Sequence, residues 1–244
     1  MDAKEYETSF KVEENYWWFV GQNRLVEKFL RQFYAYQKNY SFLDVGCGTG
    51  ITLSILSKYG KAQGIDVADQ AVHFCRKRGF KIAKSDVMDI KFADNTFDAV
   101  TSLGVFYHKG VTDDLKGFQE VHRVLKPGGR ILFLDCAMPS LYGKHDLAFH
   151  GIRRYTKPEL RAKLEKAGFV VERISYYNSL LFPAVYLKRK LEKLSSAPPR
   201  SEVSEEINPL LNKILTKVYG AELSLLKYLS FPVGVNILAV ARKR

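Results

Sequence analysis

The residues able to do chemistry in this chain are acids at the ends of apolar runs, with glycines beside them. In residues 41–50, SFLDVGCGTG, an apolar run (Phe42, Leu43, Val45) leads into Asp44 and three alternating glycines, Gly46, Gly48 and Gly50, around Cys47. Ile51, Leu53, Ile55 and Leu56 follow in an amphipathic stretch at helical spacing, so the segment reads as strand, tight turn and helix. Glycine at such a turn permits positive φ and close approach of a ligand, and the first turn of the new helix offers free N–H donors. A second acid, Asp66, ends the short strand KAQGID 20 positions beyond Gly46. An acid at that place accepts hydrogen bonds from two ribose hydroxyls, or caps the helix expected over 68–78. A dinucleotide is not the ligand, because G-x-G-x-x-G would need glycine at 51, where the chain has Ile51.

The elements that must position these residues are legible from the same periodicities. Residues 1–37 alternate aromatic and charged side chains, among them Tyr6, Phe10, Trp17, Trp18, Phe29 and Phe33, as one or two helices with an aromatic face do. The strand at 97–101 runs out into SLGVFYH, a helix is expected over 113–125, and Pro127 with Gly128 and Gly129 turns the chain into a strand at 131–135. A long polar connection at 136–155 follows that strand's carboxyl end, the edge where open α/β sheets bind ligands. Thr156, Pro158 and Glu159 form a capping signal for the next helix. Strands at 169–177 and 235–242 complete a seven-stranded, mostly parallel, doubly wound α/β sheet (Rossmann-like) whose last strand is antiparallel. The expected organisation is a single domain: an N-terminal helical cap at 1–38, a core at 39–177 and 235–244, and a helical insert at 178–234.

Composition excludes several classes. The 244 residues suit one domain with a full core, and neither a spanning apolar run nor a signal core is present, so a cytoplasmic protein is expected. Cys47, Cys75 and Cys136 are an odd count without a C-x-x-C pair, indicating buried free thiols with no disulfide or metal framework. The net charge of +12 fits an anionic partner or a solvated lysine-rich surface.

The D-x-G-x-G-x-G pattern at 44–50 resembles motif I of the class I S-adenosylmethionine (SAM)-dependent methyltransferases, and R-V-L-K-P-G-G at 123–129 is a specific resemblance to the same family, in its type 11-like subgroup. The resemblance implies SAM as cofactor, S-adenosylhomocysteine as product, and cofactor contacts at Asp44, Gly46, Cys47, Gly48, Asp66, Val67, Asp86, Val87 and Leu103. Asp86 would meet the adenine amino group, and the Val87 N–H the ring. Residues 14–24, ENYWWFVGQNR, resemble an opening WWF-x-G-R motif, with Gln22 in the arginine position and Arg24 as its substitute. H-D-x-x-x-H-x-x-R-R-Y at 145–155 resembles a subgroup acting on small molecules. Neither [DNS]-P-P-[YFW] nor Pro-Cys follows the fourth strand, so nucleic-acid bases are not expected as acceptors.

The acceptor is expected to be a small molecule, lipid-like or anionic, met by Trp18, His150, Arg153, Arg154 and Tyr155. Arg153 and Arg154 either clamp an anion or pair with an internal acid. His145 with Asp146, and His108, are the candidate bases, since imidazole titrates near neutrality. The insert, with Phe182, Val185, Tyr186 and Leu187 beside Lys188, Arg189 and Lys190, either closes as a lid, touches an anionic membrane, or packs as an ordinary helical cap. The alternative to an enzyme is a SAM-binding regulatory or scaffold protein without turnover.

Overall fold

The computed structural model describes residues 3–35, 39–192, 198, 203 and 207–244. Of the Ser/Pro-rich stretch SSAPPR at 195–200, only Pro198 is among them. In chain order the strands are β1 (Tyr40–Val45), β2 (Gly60–Asp66), β3 (Ala83–Lys84), β4 (Phe97–Leu103), β5 (Leu125–Cys136), β6 (Phe169–Tyr177) and β7 (Asn236–Lys243). They form one seven-stranded sheet in the order β3-β2-β1-β4-β5-β7-β6, with β7 antiparallel to both neighbours and the other pairs parallel. This is the α/β doubly wound sheet that the strand pattern implies. The order reverses between β1 and β4, which opens a crevice at the carboxyl edge of these strands.

Alternating side chains divide the core into two layers, because successive residues of a strand point to opposite faces. Leu43, Val45, Ile131, Phe133, Ile237 and Ala239 face a layer shared with α5 (Asp114–Val124) and α7 (Lys157–Lys166). Phe42, Leu132, Leu134, Leu238 and Val240 face the other, shared with α2 (Trp17–Phe33), α3 (Ile51–Leu56) and α9 (Pro209–Leu225). Helix α2 buries Leu25, Val26, Phe29 and Leu30, one stripe at helical spacing. Gly21 lies in this helix where a Cβ would fall 2.0 Å from the Tyr219 ring, so its missing side chain is what lets α9 dock. The signals around 156–168 act as written: the Thr156 hydroxyl accepts from the Glu159 N–H at 3.4 Å, and α7 is followed by Gly168 at φ +100.

Two short helices complete the N-terminal and loop regions, α1 (Ala3–Val12) against α4 (Asp69–Lys77), and α6 (Lys144–Ala148) in the 136–155 connection. The insert contributes α8 (Phe182–Glu192) and α9. Glu222 of α9 accepts from the Ser179 and Leu180 N–H groups, tying the start of α8 to α9. No helix among the described residues is long and apolar enough to cross a membrane.

Candidate active site

A cavity of about 400 Å³ opens at the carboxyl edge of β1, β2 and β4, the size of a small-molecule site. Its floor is the glycine turn. Gly46 and Gly48 take φ of +66 and +54, conformations that L side chains rarely adopt. A Cβ on Gly48 would meet no atom within 4 Å, so the backbone here faces open space. The Gly48 N–H donates to Asp66 Oδ2 at 3.0 Å, and the Ala68 N–H donates to Oδ1 at 2.9 Å. Asp66 is therefore held by the glycine turn and by the start of the chain towards α4, while Ala68 is the N-cap residue of that helix. Each carboxylate oxygen has a second lone pair for a ligand.

All nine residues expected at the cofactor, Asp44, Gly46, Cys47, Gly48, Asp66, Val67, Asp86, Val87 and Leu103, line this cavity. Asp44 is fully buried; desolvation pushes its carboxyl up to about 7, against the hydrogen bond from Thr101 Oγ1 at 2.6 Å. Burial also raises Asp66 and Glu13. Asp86 Oδ1 accepts from the Met88 N–H at 2.8 Å, which fixes the turn after β3. Cys47 and Cys75 are buried free thiols with sulfurs 3.8 Å apart, and the contact with Cys75, together with burial, raises the Cys47 thiol.

The opposite wall comes from the N-terminal helices, and sequence reasoning missed most of it. Tyr6, Ser9 and Glu13 line the cavity from α1 and the residue after it, and Phe19, Gln22 and Asn23 line it from α2. Glu13 is pinned between the Thr49 hydroxyl, which donates to Oε2, and Arg78 Nη2, 2.7 Å from Oε1. The buried Glu13 thus fastens the cap to the glycine turn. A lone glutamate before a Trp-Trp pair carries no sequence signal for that role; only the docking of the cap brings it to the site.

The acceptor residues expected from the 136–155 connection are not brought together in the cavity. Asp146 is fully buried, accepting from Arg154 Nε at 2.8 Å, Arg154 Nη2 at 3.1 Å and the Gly143 N–H at 2.8 Å. Neither side chain of this pair is a base or a clamp; together they order the loop. Arg153 donates to the Phe106 carbonyl at 3.1 Å and lies 3.8 Å from Asp114. Tyr155 is fully buried and donates to Asp114 Oδ2 at 2.9 Å. His145 packs on Phe149 and His150 on His108, with ring centroids 4.7 and 5.9 Å apart, and neither histidine lines the cavity. Trp18 turns to Tyr219 on α9, and Arg24 Nη1 reaches Gly220 of α9, so Arg24 does not replace an arginine at position 22.

Of the three catalytic candidates only His108 lines the cavity. Its Nδ1 accepts from the Gly110 N–H at 3.1 Å, and desolvation, reinforced by neighbouring positive charge, lowers its pKa to about 4. A neutral ring whose Nδ1 accepts must carry its proton on Nε2. The occupied Nδ1 and the lowered pKa both count against His108 as a base. The loop that carries it is held by Asp135, which accepts from the Phe106 N–H at 2.8 Å and the Tyr107 N–H at 3.2 Å. The expected lid is also displaced: no described residue of 178–234 lines the cavity, and α9 packs on α2 instead, through Tyr219, Leu223 and the Asn212 Oδ1 contact with the Trp17 N–H at 2.8 Å.

The glycine turn, the acid at the end of β2 and the sheet order are those of a methyltransferase core, and residues 43–133 match the methyltransferase-domain family Methyltransf_11. Residues 43–133 thus carry a methyltransferase domain of the class I SAM-dependent type. The methyltransferase domain and the methyltransferase relatives support an enzyme that uses SAM. A demethylmenaquinone methyltransferase of Staphylococcus aureus is 28% identical over 188 residues, covering 63% of this chain and 77% of that protein. A probable tRNA methyltransferase 9B of Mus musculus is 35% identical over 111 residues, 45% of this chain but only 25% of the mouse protein. Among solved structures, the Haemonchus contortus phosphoethanolamine N-methyltransferase 2 in complex with SAM superposes with a TM-score of 0.59 at 18% identity, over 91% of this methyltransferase and 52% of that chain; at that identity the likeness concerns the fold.

Proposed function

We propose that this methyltransferase holds SAM in the cavity over the glycine turn and methylates a small, uncharged acceptor presented by α2 and the 104–111 loop. The observation that carries the reading is the lining itself, in which Asp66 and Asp86, the buried Asp44 and the Arg78-paired Glu13 face no lysine or arginine among the described lining residues. A cationic sulfonium cofactor is favoured in such a wall, and an anionic acceptor is not. When bound, SAM supplies an electrophilic methyl group for in-line displacement.

In this reading Asp66 accepts from the ribose hydroxyls, Asp86 and the Val87 N–H hold the adenine, and Gly46 and Gly48 let the backbone approach the methionine part. Phe19 and Tyr107 give the acceptor two aromatic surfaces, and Gln22 and Asn23 give it neutral donors and acceptors. The enzyme's work is alignment. With His108 neutral and its Nδ1 occupied, the lining histidine has no free lone pair, so the acceptor is one that reacts without losing a proton to it. The S. aureus relative, whose name places demethylmenaquinone as its acceptor, supports a small molecule; the reaction is taken to be cytoplasmic.

The test is calorimetric titration with S-adenosylhomocysteine together with transfer of labelled methyl from SAM into fractionated extract. Asp66→Ala should weaken binding of S-adenosylhomocysteine at least a hundredfold, losing two hydrogen bonds to a charged acceptor of about 1.5 kcal/mol or more each. Unchanged affinity would remove the assignment of the cavity, and label in tRNA would replace the acceptor class.

A further inference from the structure

The insert turns part of its apolar surface outward. On α8 the exposed side chains include Leu187 and Leu191, 60% and 58% accessible, in line with Leu180 just before the helix. The side chain that α8 buries is Arg189, which is the reverse of a core-packing helix. On α9 one face buries Tyr219 and Leu223, while Leu210, Leu211, Ile214 and Leu225 stay exposed on another, continued by Tyr228 and Leu229. Among the described residues nothing covers these two stripes, and isolated surface leucines do not repeat at helical spacing in this way.

Charge says what covers them. Lys188 and Lys190 flank the α8 stripe, and Lys213 and Lys217 flank that of α9, all exposed; the acids of the two helices are Glu192 and the buried Glu222. Lys190 Nζ lies 5.5 Å from the Tyr186 ring centre, so the amphipathic body and the charge share one surface. A second copy of the chain docking through a two-fold contact would set these lysines against their own equivalents. An anionic bilayer instead accepts leucines at the headgroup boundary and lysines at its phosphates.

We infer that the outward faces of α8 and α9 dock the enzyme on an anionic phospholipid bilayer. This goes beyond the cofactor reading and does not depend on it. The test is co-sedimentation of the full chain with vesicles of phosphatidylcholine alone and with phosphatidylglycerol added, at low and high salt. Two variants are compared, Leu187→Glu with Leu191→Glu and Leu210→Glu with Leu211→Glu, each checked for S-adenosylhomocysteine binding and circular dichroism. The expected result is at least tenfold preference for the anionic vesicles, weakened by salt, and at least tenfold loss in each variant with its dichroism spectrum unchanged. Absence of binding to anionic vesicles at low salt, or variants that bind like the parent, would overturn the inference. So would a dimer of the parent in analytical ultracentrifugation that the same substitutions dissociate. Vesicle binding by a chain that takes no S-adenosylhomocysteine would instead overturn the cofactor reading alone.

Discussion

Arg154→Leu separates a structural arginine from an acceptor clamp. In the native fold Asp146 has no exposed surface and receives three N–H donors, two from Arg154 and one from Gly143. The same guanidinium donates to the Ala137 carbonyl at 2.9 Å. Leucine fills much of the volume but leaves a buried carboxylate with a single donor, and breaking a buried pair from one side costs about 3–5 kcal/mol. For a chain of this size that is a fall of roughly 6–20 °C in Tm, read by far-UV circular dichroism or by urea unfolding. Pairing Arg154→Leu with Asp146→Leu should restore most of the loss, since two apolar residues in place of a buried ion pair are close to neutral. Below its Tm the single variant should bind S-adenosylhomocysteine as the parent does. An unchanged unfolding midpoint combined with a raised KM for the acceptor would refute the reasoning and return Arg154 to the binding site.

Two further outcomes follow from named contacts. His108 has a folded pKa of about 4 against an ordinary 6.5, so between those values the unfolded chain binds the extra proton and stability is lost as pH falls. His108→Asn, which still accepts from the Gly110 N–H, should flatten that acid sensitivity between pH 6.5 and about 4; identical pH profiles of urea midpoint for both proteins would contradict the burial of the ring. Gly21→Ala forces a methyl onto the Tyr219 ring and should cost about 1–3 kcal/mol by overpacking, seen as a lower Tm and altered fluorescence of Trp17 and Trp18, which lie 6.0 Å from that ring; a stabilised variant would mean that α9 does not dock there.

Local signals were sufficient for the sheet and for one half of the site. The glycine turn, Asp66, Asp86 and Val87 sit where strands end, and strand ends follow from periodicity, turn residues and glycines that must adopt positive φ. Those are properties of a few neighbouring residues, so they are legible in the chain itself. The R-V-L-K-P-G-G element was legible for the same reason: a proline and two glycines end a helix wherever they occur.

The other half of the site was decided by packing across the fold. Histidines, arginines and an aspartate crowded into 145–155 looked like an acceptor site by residue type, yet Asp146 finds Arg154 and Asp114 finds Arg153, Tyr155 and Lys163. A buried charge must find its partner, and sequence does not say whether that partner is a ligand or a neighbour. Likewise Glu13, Phe19, Gln22 and Asn23 reach the cavity only because α1 and α2 fold over β1 and β2, with Gly21 admitting Tyr219 from about 200 residues away in the chain. The insert pattern of leucines and lysines gave helices but not their outward face, which depends on α2 already occupying the face that Tyr219 and Leu223 choose. What the sequence determined is the chemistry available at each strand end, through local backbone constraint; which side chains share one cavity is a matter of long-range contacts, and only the tertiary structure decided it.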